Sequence, residues 1–163
     1  MAAERYGIEE LAARAAVLLE TGDEDPDFLR LVGGPPAEGV LDGSWPRYWA
    51  QSWGARVLER YWTASAARPV IAGLAHEHWR VRMICARLCT AHELGVPERL
   101  VALCEDENWR VRDAAVTALG AVGEGEHADA LRALLDDENA TVRGHAEHAL
   151  VRMTERLDRP LQD

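Results

Sequence analysis

Three stretches of the chain repeat one alternation of apolar and polar positions. In "WRVRMICARLCT" the apolar residues fall at Val81, Ile84, Cys85, Leu88 and Cys89, and in "WRVRDAAVTALG" at Val111, Ala114, Ala115, Ala118 and Leu119. The third stretch, "ATVRGHAEHALV", places Val142, Ala146, Ala149 and Leu150 at the same offsets, with His145 in the remaining one. Offsets of i, i+3, i+4, i+7 and i+8 make the stripe of an amphipathic α-helix. A shorter apolar pattern precedes each stretch: Ile71 and Leu74, then Leu100, Leu103 and Cys104, then Leu131, Leu134 and Leu135. These predict a first helix for every unit. Pro69 and Pro97 stand near two of the starts, and Asn108 and Asn139 are placed as N-caps of the second helices. Each unit is then a helical hairpin that cannot cover its own apolar face, so neighbours must stack. The predicted fold is all-α, an α-solenoid of stacked helical hairpins.

The first 64 residues are less regular. Ile8 to Thr21 reads as an Ala- and Leu-rich helix, Asp27 to Val32 as a short one, and "GGPPAEG" at 33–39 as a turn or linker. Ser44 is placed as a cap, with Pro46 close behind, for "WPRYWAQSWGARVLERYW", which reads as a degenerate second helix. Ala55, Leu58 and Trp62 fit its stripe and Arg56 falls in the column of Arg82, although Glu59 stands where Cys85 would be. The expected organisation is an irregular helical segment with a degenerate first repeat at 1–64, three repeats at 65–155, and a C-terminal tail at 156–163.

The phrase from Asp106 to Gly120, with its "D…VR..A…LG" pattern, resembles HEAT repeats of the short type first associated with phycobilisome lyases, over about residues 65–155. The resemblance implies that an Asp before the second helix and an Arg just inside it tie adjacent units together by charge-assisted hydrogen bonds. The matching residues are Asp106 with Arg112 and Asp137 with Arg143, each six apart. The earlier unit departs from the pattern. It has His76 where the Asp should stand before Arg82, which leaves that rung of the ladder open.

Composition narrows the function classes. With 163 residues, 48% of them apolar, the chain can bury a core without metal or disulfide staples. No apolar run approaches the ~20 residues that span a bilayer. The start, "MAAERYGIEELAARAAVLLE", carries charges where a secretion signal would be apolar. Three cysteines without paired spacing suit a reducing compartment, so the expected location is cytoplasmic, away from membranes. All 18 basic residues are Arg, against 28 acidic residues, for a net charge of −10. Such a surplus of carboxylates repels phosphates unless the arginines cluster, so no nucleic-acid partner is expected.

Several residues have the chemistry of a site. Cys85, Cys89 and His92 share a helical face, with His76 and His78 nearby, and could suggest a metal. The repeat columns argue for packing instead, because Cys85 and Cys89 align with Ala115 and Leu119, and Cys104 with Leu135. His145 and His148 form an H-x-x-H pair, but they belong to the last unit, where more polar residues cap an open end. Trp79 and Trp109 fill one column and read as seals over a helix start. Trp45, Trp49 and Trp53 at i, i+4 and i+8 make one aromatic stripe, either core against the first helix or partly exposed for a partner. No nucleophile elbow, phosphate loop, zinc-protease signature or dinucleotide fingerprint is present, and "GEGEH" at 123–127 lacks the strand such a loop requires. No enzymatic activity, metal or cofactor is expected.

The expected function is that of a scaffold or adaptor module whose second helices present an outward face to a protein or peptide segment. That face should include Met83, Arg87, Thr90, Asp113, Thr117, Gly144, Glu147 and His148, of mixed charge, with Trp45 and Trp49 as a competing surface. Resemblance also implies two alternatives. One is a HEAT-like alkylpurine DNA glycosylase, which needs a basic groove, aromatics and an Asp; Asp113, the tryptophans, Arg60, Arg87 and Arg110 are its only candidates. The other is a bilin lyase-like enzyme.

Overall fold

The computed structural model describes residues 6–158, and these form helices joined by short turns, with no strand among them. Ten α-helices follow in order: α1 (Ile8–Thr21), α2 (Pro26–Gly33), α3 (Ala37–Leu41), α4 (Tyr48–Leu58), α5 (Ala67–Gly73), α6 (Trp79–Ala91), α7 (Pro97–Leu103), α8 (Trp109–Val122), α9 (Ala128–Ala133) and α10 (Ala140–Leu157). The chain divides between Cys85 and Ala86, inside α6, into two compact units.

In the first unit, α1 buries Leu11, Ala12, Ala15, Leu18 and Leu19. Helix α4 lies directly on that row because Gly54 has no side chain: a Cβ there would stand 2.6 Å from the Ala15 carbonyl and 2.7 Å from the Leu19 nitrogen. Helix α5 also packs on α1. Around it Ala66, Val70 and Leu74 are buried at i+4 steps, Leu74 as predicted, while Ile71 is half-buried and Val70 takes its place in the core. The stretch 33–39 is not a simple turn, since Gly33 closes α2 and residues from Ala37 form α3. Pro36, with its fixed φ, stands at the start of that short helix. Ser44 does not cap α4, which begins at Tyr48. Its hydroxyl donates to the Gly39 carbonyl (3.2 Å), and the Trp45 N–H donates to the same carbonyl (2.7 Å), drawing the chain back over α3 before α4 can start. Ala55 and Leu58 are buried as predicted, Arg56 is exposed, and Trp62 lies half-buried beyond the end of α4.

In the second unit, α7 pairs with α8, α9 pairs with α10, and α8 packs on α10. The predicted columns hold Val111, Ala115, Ala118, Leu119, Val142, Ala146 and Ala149 in the core. Gly120 lets α8 touch α10, since a Cβ there would lie 2.8 Å from the Ala149 Cα. Leu135 and Leu150 are half-buried and His145 is exposed. All three belong to the last unit, past which no further hairpin is described. Helix α10 continues to Leu157 and buries Met153, so part of the expected tail is helical; its residues 159–163 lie outside the described residues.

The turn before each second helix is held by one set of hydrogen bonds. Asn108 Oδ1 accepts the Arg110 N–H (3.1 Å), and Asn139 Oδ1 accepts the Thr141 N–H (2.9 Å), as N-caps should. Two residues earlier, Asp106 Oδ1 accepts the Asn108 N–H (2.9 Å) and Asp137 Oδ1 the Asn139 N–H (2.8 Å). The first repeat builds the same turn from histidines: His76 Nδ1 accepts the His78 N–H (2.9 Å), and His78 Nδ1 accepts the Arg80 N–H (3.3 Å). An unprotonated imidazole nitrogen does the work of a side-chain oxygen. Arg82, Arg112 and Arg143 each donate from Nη1 to the carbonyls six and five residues back, Arg82 to His76 (2.8 Å) and Glu77 (2.7 Å). The pairs six apart are therefore joined through main-chain carbonyls. The buried carboxylate partner of Arg112 is Asp137 of the following repeat, reached by Nε (2.7 Å) and Nη2 (2.9 Å), and Nη2 also donates to the exposed Glu138 (3.1 Å).

Candidate functional site

The residues predicted for the outward face of the second helices differ in exposure. Arg87 on α6, Thr117 on α8, and Glu147 and His148 on α10 are exposed, while the positions beside them face the core. Thr90 and Gly144 are half-buried, as is Met83, which belongs to the first unit. Between α8 and α10 lies an open pocket of about 220 Å³, lined by Thr117, His145, His148, Ala149 and Arg152. His145, drawn from a column that is apolar in the other repeats, meets Asp113 through Nδ1 at 2.5 Å. Asp113 thus orients an imidazole over the pocket instead of presenting a lone carboxylate. The Thr117 hydroxyl donates to the Asp113 carbonyl (3.0 Å). A carboxylate and an imidazole are two parts of a nucleophilic triad, but the Thr117 hydroxyl that lines the same pocket is committed to the backbone.

In the first unit, the tryptophan stripe divides. Trp45 precedes α4, so helical spacing does not govern it; its ring packs on Gly39 and tilts against Trp49, with centroids 5.4 Å apart. Trp45 is 41% exposed and Trp49 half-buried. The Arg80 guanidinium lies over both Trp49 (4.9 Å) and Trp79 (4.8 Å), and its buried Nε has no hydrogen-bond partner, so the rings supply its stabilisation. Tyr48 stacks on His78 at 3.4 Å. Trp53 points elsewhere, against Gly33. Trp79 and Trp109 recur as predicted, each half-buried beneath the arginine that follows it, Arg110 lying 4.4 Å from the Trp109 ring.

Cys85, Cys89 and Cys104 are buried, and burial pushes the thiols of Cys89 and Cys104 up to about 12. Neither is a thiolate at neutral pH, as a metal ligand or nucleophile must be. Among the described residues no group of three or more His, Cys, Asp or Glu is arranged to hold a metal ion, and no helix is long and apolar enough to cross a membrane.

Sequence reasoning missed one network. Gln51 donates from Nε2 to the Leu19 carbonyl (3.2 Å) and meets His76 Nε2 through Oε1 (2.9 Å), so the turn before α6 is linked through α4 to α1. Since His76 Nδ1 is an acceptor, its Nε2 carries the proton and donates to Gln51. Burial lowers the pKa of His76, and burial followed by the Arg80 charge lowers that of His78, favouring the neutral rings these bonds require. The signal was in the chain: His76 and His78 have the two-residue spacing of Asp106 and Asn108.

Comparison with known proteins agrees with this geometry. The HEAT repeats family matches residues 67–151. The chain is also similar to the uncharacterized phycocyanin operon protein Z of Pseudanabaena tenuis, at 39% identity over 62 residues, or 38% of this chain. The match spans 31% of that relative's own length.

Proposed function

The chain belongs to the HEAT-repeat family, and from that premise we propose that it is a non-catalytic scaffold or adaptor of the cytoplasm that holds a segment of a partner protein on the outward side of its second helices. The observation that carries this reading is the pocket between α8 and α10. It joins Thr117 and His148 with His145 and Arg152 around an apolar floor at Ala149, a combination suited to one anchoring side chain of an extended peptide. Arg87 and Glu147 offer opposite charges that set the register of docking. The partly assembled triad and the protonated thiols favour binding over catalysis, and the net charge of −10 opposes a DNA-glycosylase role. The relative's name gives an operon but no reaction, so a bilin-lyase role has less support than binding.

The test is a photo-crosslinking residue placed at Thr117 and, separately, at Trp45, with the protein incubated in native lysate and adducts mapped by mass spectrometry. An adduct to one protein from position 117 supports the outward face. Adducts only from position 45 favour a second reading, in which Trp45, Trp49 and Arg80 anchor the partner, the residue types that dominate binding hot spots.

A further inference from the structure

A second pocket lies in the first unit, apart from the face just described, and its lining has a distinctive charge. It is open, about 400 Å³ in volume, and is bounded by the end of α2 and by the last turn of α4 with the residues that follow it. Its charged residues are Arg56 and Arg60; no carboxylate lines it, in a chain with 28 acidic residues and 18 arginines. Elsewhere Arg14, Arg30 and Arg132 each lie against a carboxylate. Among the described residues, Arg56 and Arg60 have no such partner. The remaining wall is aromatic and aliphatic, with Trp53, Tyr61 and Val57. Gly33 fixes the Trp53 ring, since a Cβ at that position would lie 2.5 Å from Cζ3, and the Arg60 guanidinium sits 5.7 Å from the Tyr61 ring.

We propose that this pocket binds a small organic anion in which a phosphate or carboxylate is joined to a flat ring. Arg56 in the last turn of α4 and Arg60 just past its end both line the pocket, and each guanidinium brings a planar fork of donors that matches the paired oxygens of such an anion. The fixed indole face of Trp53 gives the ring a surface to stack on without a change of rotamer. The volume lies near the low end of ligand pockets, roughly 300–1,000 Å³, which suits one ring and one anionic group.

The test uses the whole chain with phenyl phosphate, benzoate and inorganic phosphate as probes. Binding is followed by two-dimensional NMR of the Trp53 indole N–H and the Arg56 and Arg60 Nε–H signals. Phenyl phosphate or benzoate should shift all three saturably, and the stronger of the two identifies the anionic group. Inorganic phosphate should bind at least about tenfold more weakly, because it lacks the stacking partner. Arg56→Gln with Arg60→Gln should weaken ring-bearing probes about tenfold through lost charge-assisted bonds, with an unchanged melt because both residues are at the surface. Trp53→Phe, which keeps a stacking face, should retain binding. The proposal is overturned if neither ring-bearing probe gives a saturable shift by about 10 mM, if inorganic phosphate binds as well as phenyl phosphate, or if the arginine variant binds as wild type does.

Discussion

Arg112 and Asp137 form a two-pronged ion pair across consecutive repeats, with N···O distances of 2.7 and 2.9 Å and side chains only 9% and 4% exposed. Removing this carboxylate leaves a buried guanidinium held by the Asp106 and Glu107 carbonyls and by one bond to the exposed Glu138 (3.1 Å). Asp137→Ala should therefore lower unfolding stability by about 3 kcal/mol, measured by urea titration, whereas Asp129→Ala, which breaks an exposed pair with Arg132, should cost less than about 1 kcal/mol. The hydrogen bonds from Arg112 hold the Asp137 carboxyl below its ordinary value. Its contribution is then complete above about pH 4, the unfolded value, and is lost as pH falls toward the native one.

Two glycines inside second helices should respond to alanine in opposite directions. At Gly120 a methyl group would press on Ala149 across the α8–α10 contact, so Gly120→Ala should destabilise by about 1–3 kcal/mol through overpacking. A methyl group at Gly144 meets nothing within 4 Å. Gly144→Ala should stabilise by up to about 1 kcal/mol through helix propensity alone. Equal shifts in the two thermal melts would contradict the packing of α8 on α10.

The histidine-built turn gives the first unit a pH dependence. His76 and His78 titrate below their unfolded values, so stability is complete above about pH 6.5 and declines as pH falls through the native values. Besides burial, the charged groups acting on them are Glu77, Arg80 and Arg82, and the two histidines act on each other. Restoring the acceptors of the other repeats with His76→Asp and His78→Asn should flatten the melting temperature between pH 7.5 and 5.5. The half-buried His92, also lowered, will keep a smaller slope. An unchanged profile would show that these rings do not hold the turn.

The helices of the repeats were legible because burial of one face imposes a 3.6-residue period, and Asn108 and Asn139 could be placed as caps from position alone. The His76 turn was obscured because the turn selects an acceptor atom, while sequence reading selects a residue class. Arg112 was matched to the wrong carboxylate since its partner depends on stacking, not spacing. Helix α3 was hidden by its Gly- and Pro-rich composition, and the division of the tryptophans followed from Trp45 lying ahead of α4. The Arg56 and Arg60 pocket exists only because α2 ends beside α4, a relation no local pattern records.

Charge reversal on the outward face of the second helices tests most directly whether that face holds a partner. Wild type, Arg87→Glu and Glu147→Arg would be used as baits in the same native lysate, with quantitative mass spectrometry of the captured proteins and circular dichroism melts of each bait. Exposed charges contribute little to folding but set docking, so the melts should agree within a few degrees while a protein enriched by wild type is lost by both variants. Capture of that protein by both variants at the wild-type level, with all three baits folded, would contradict the account.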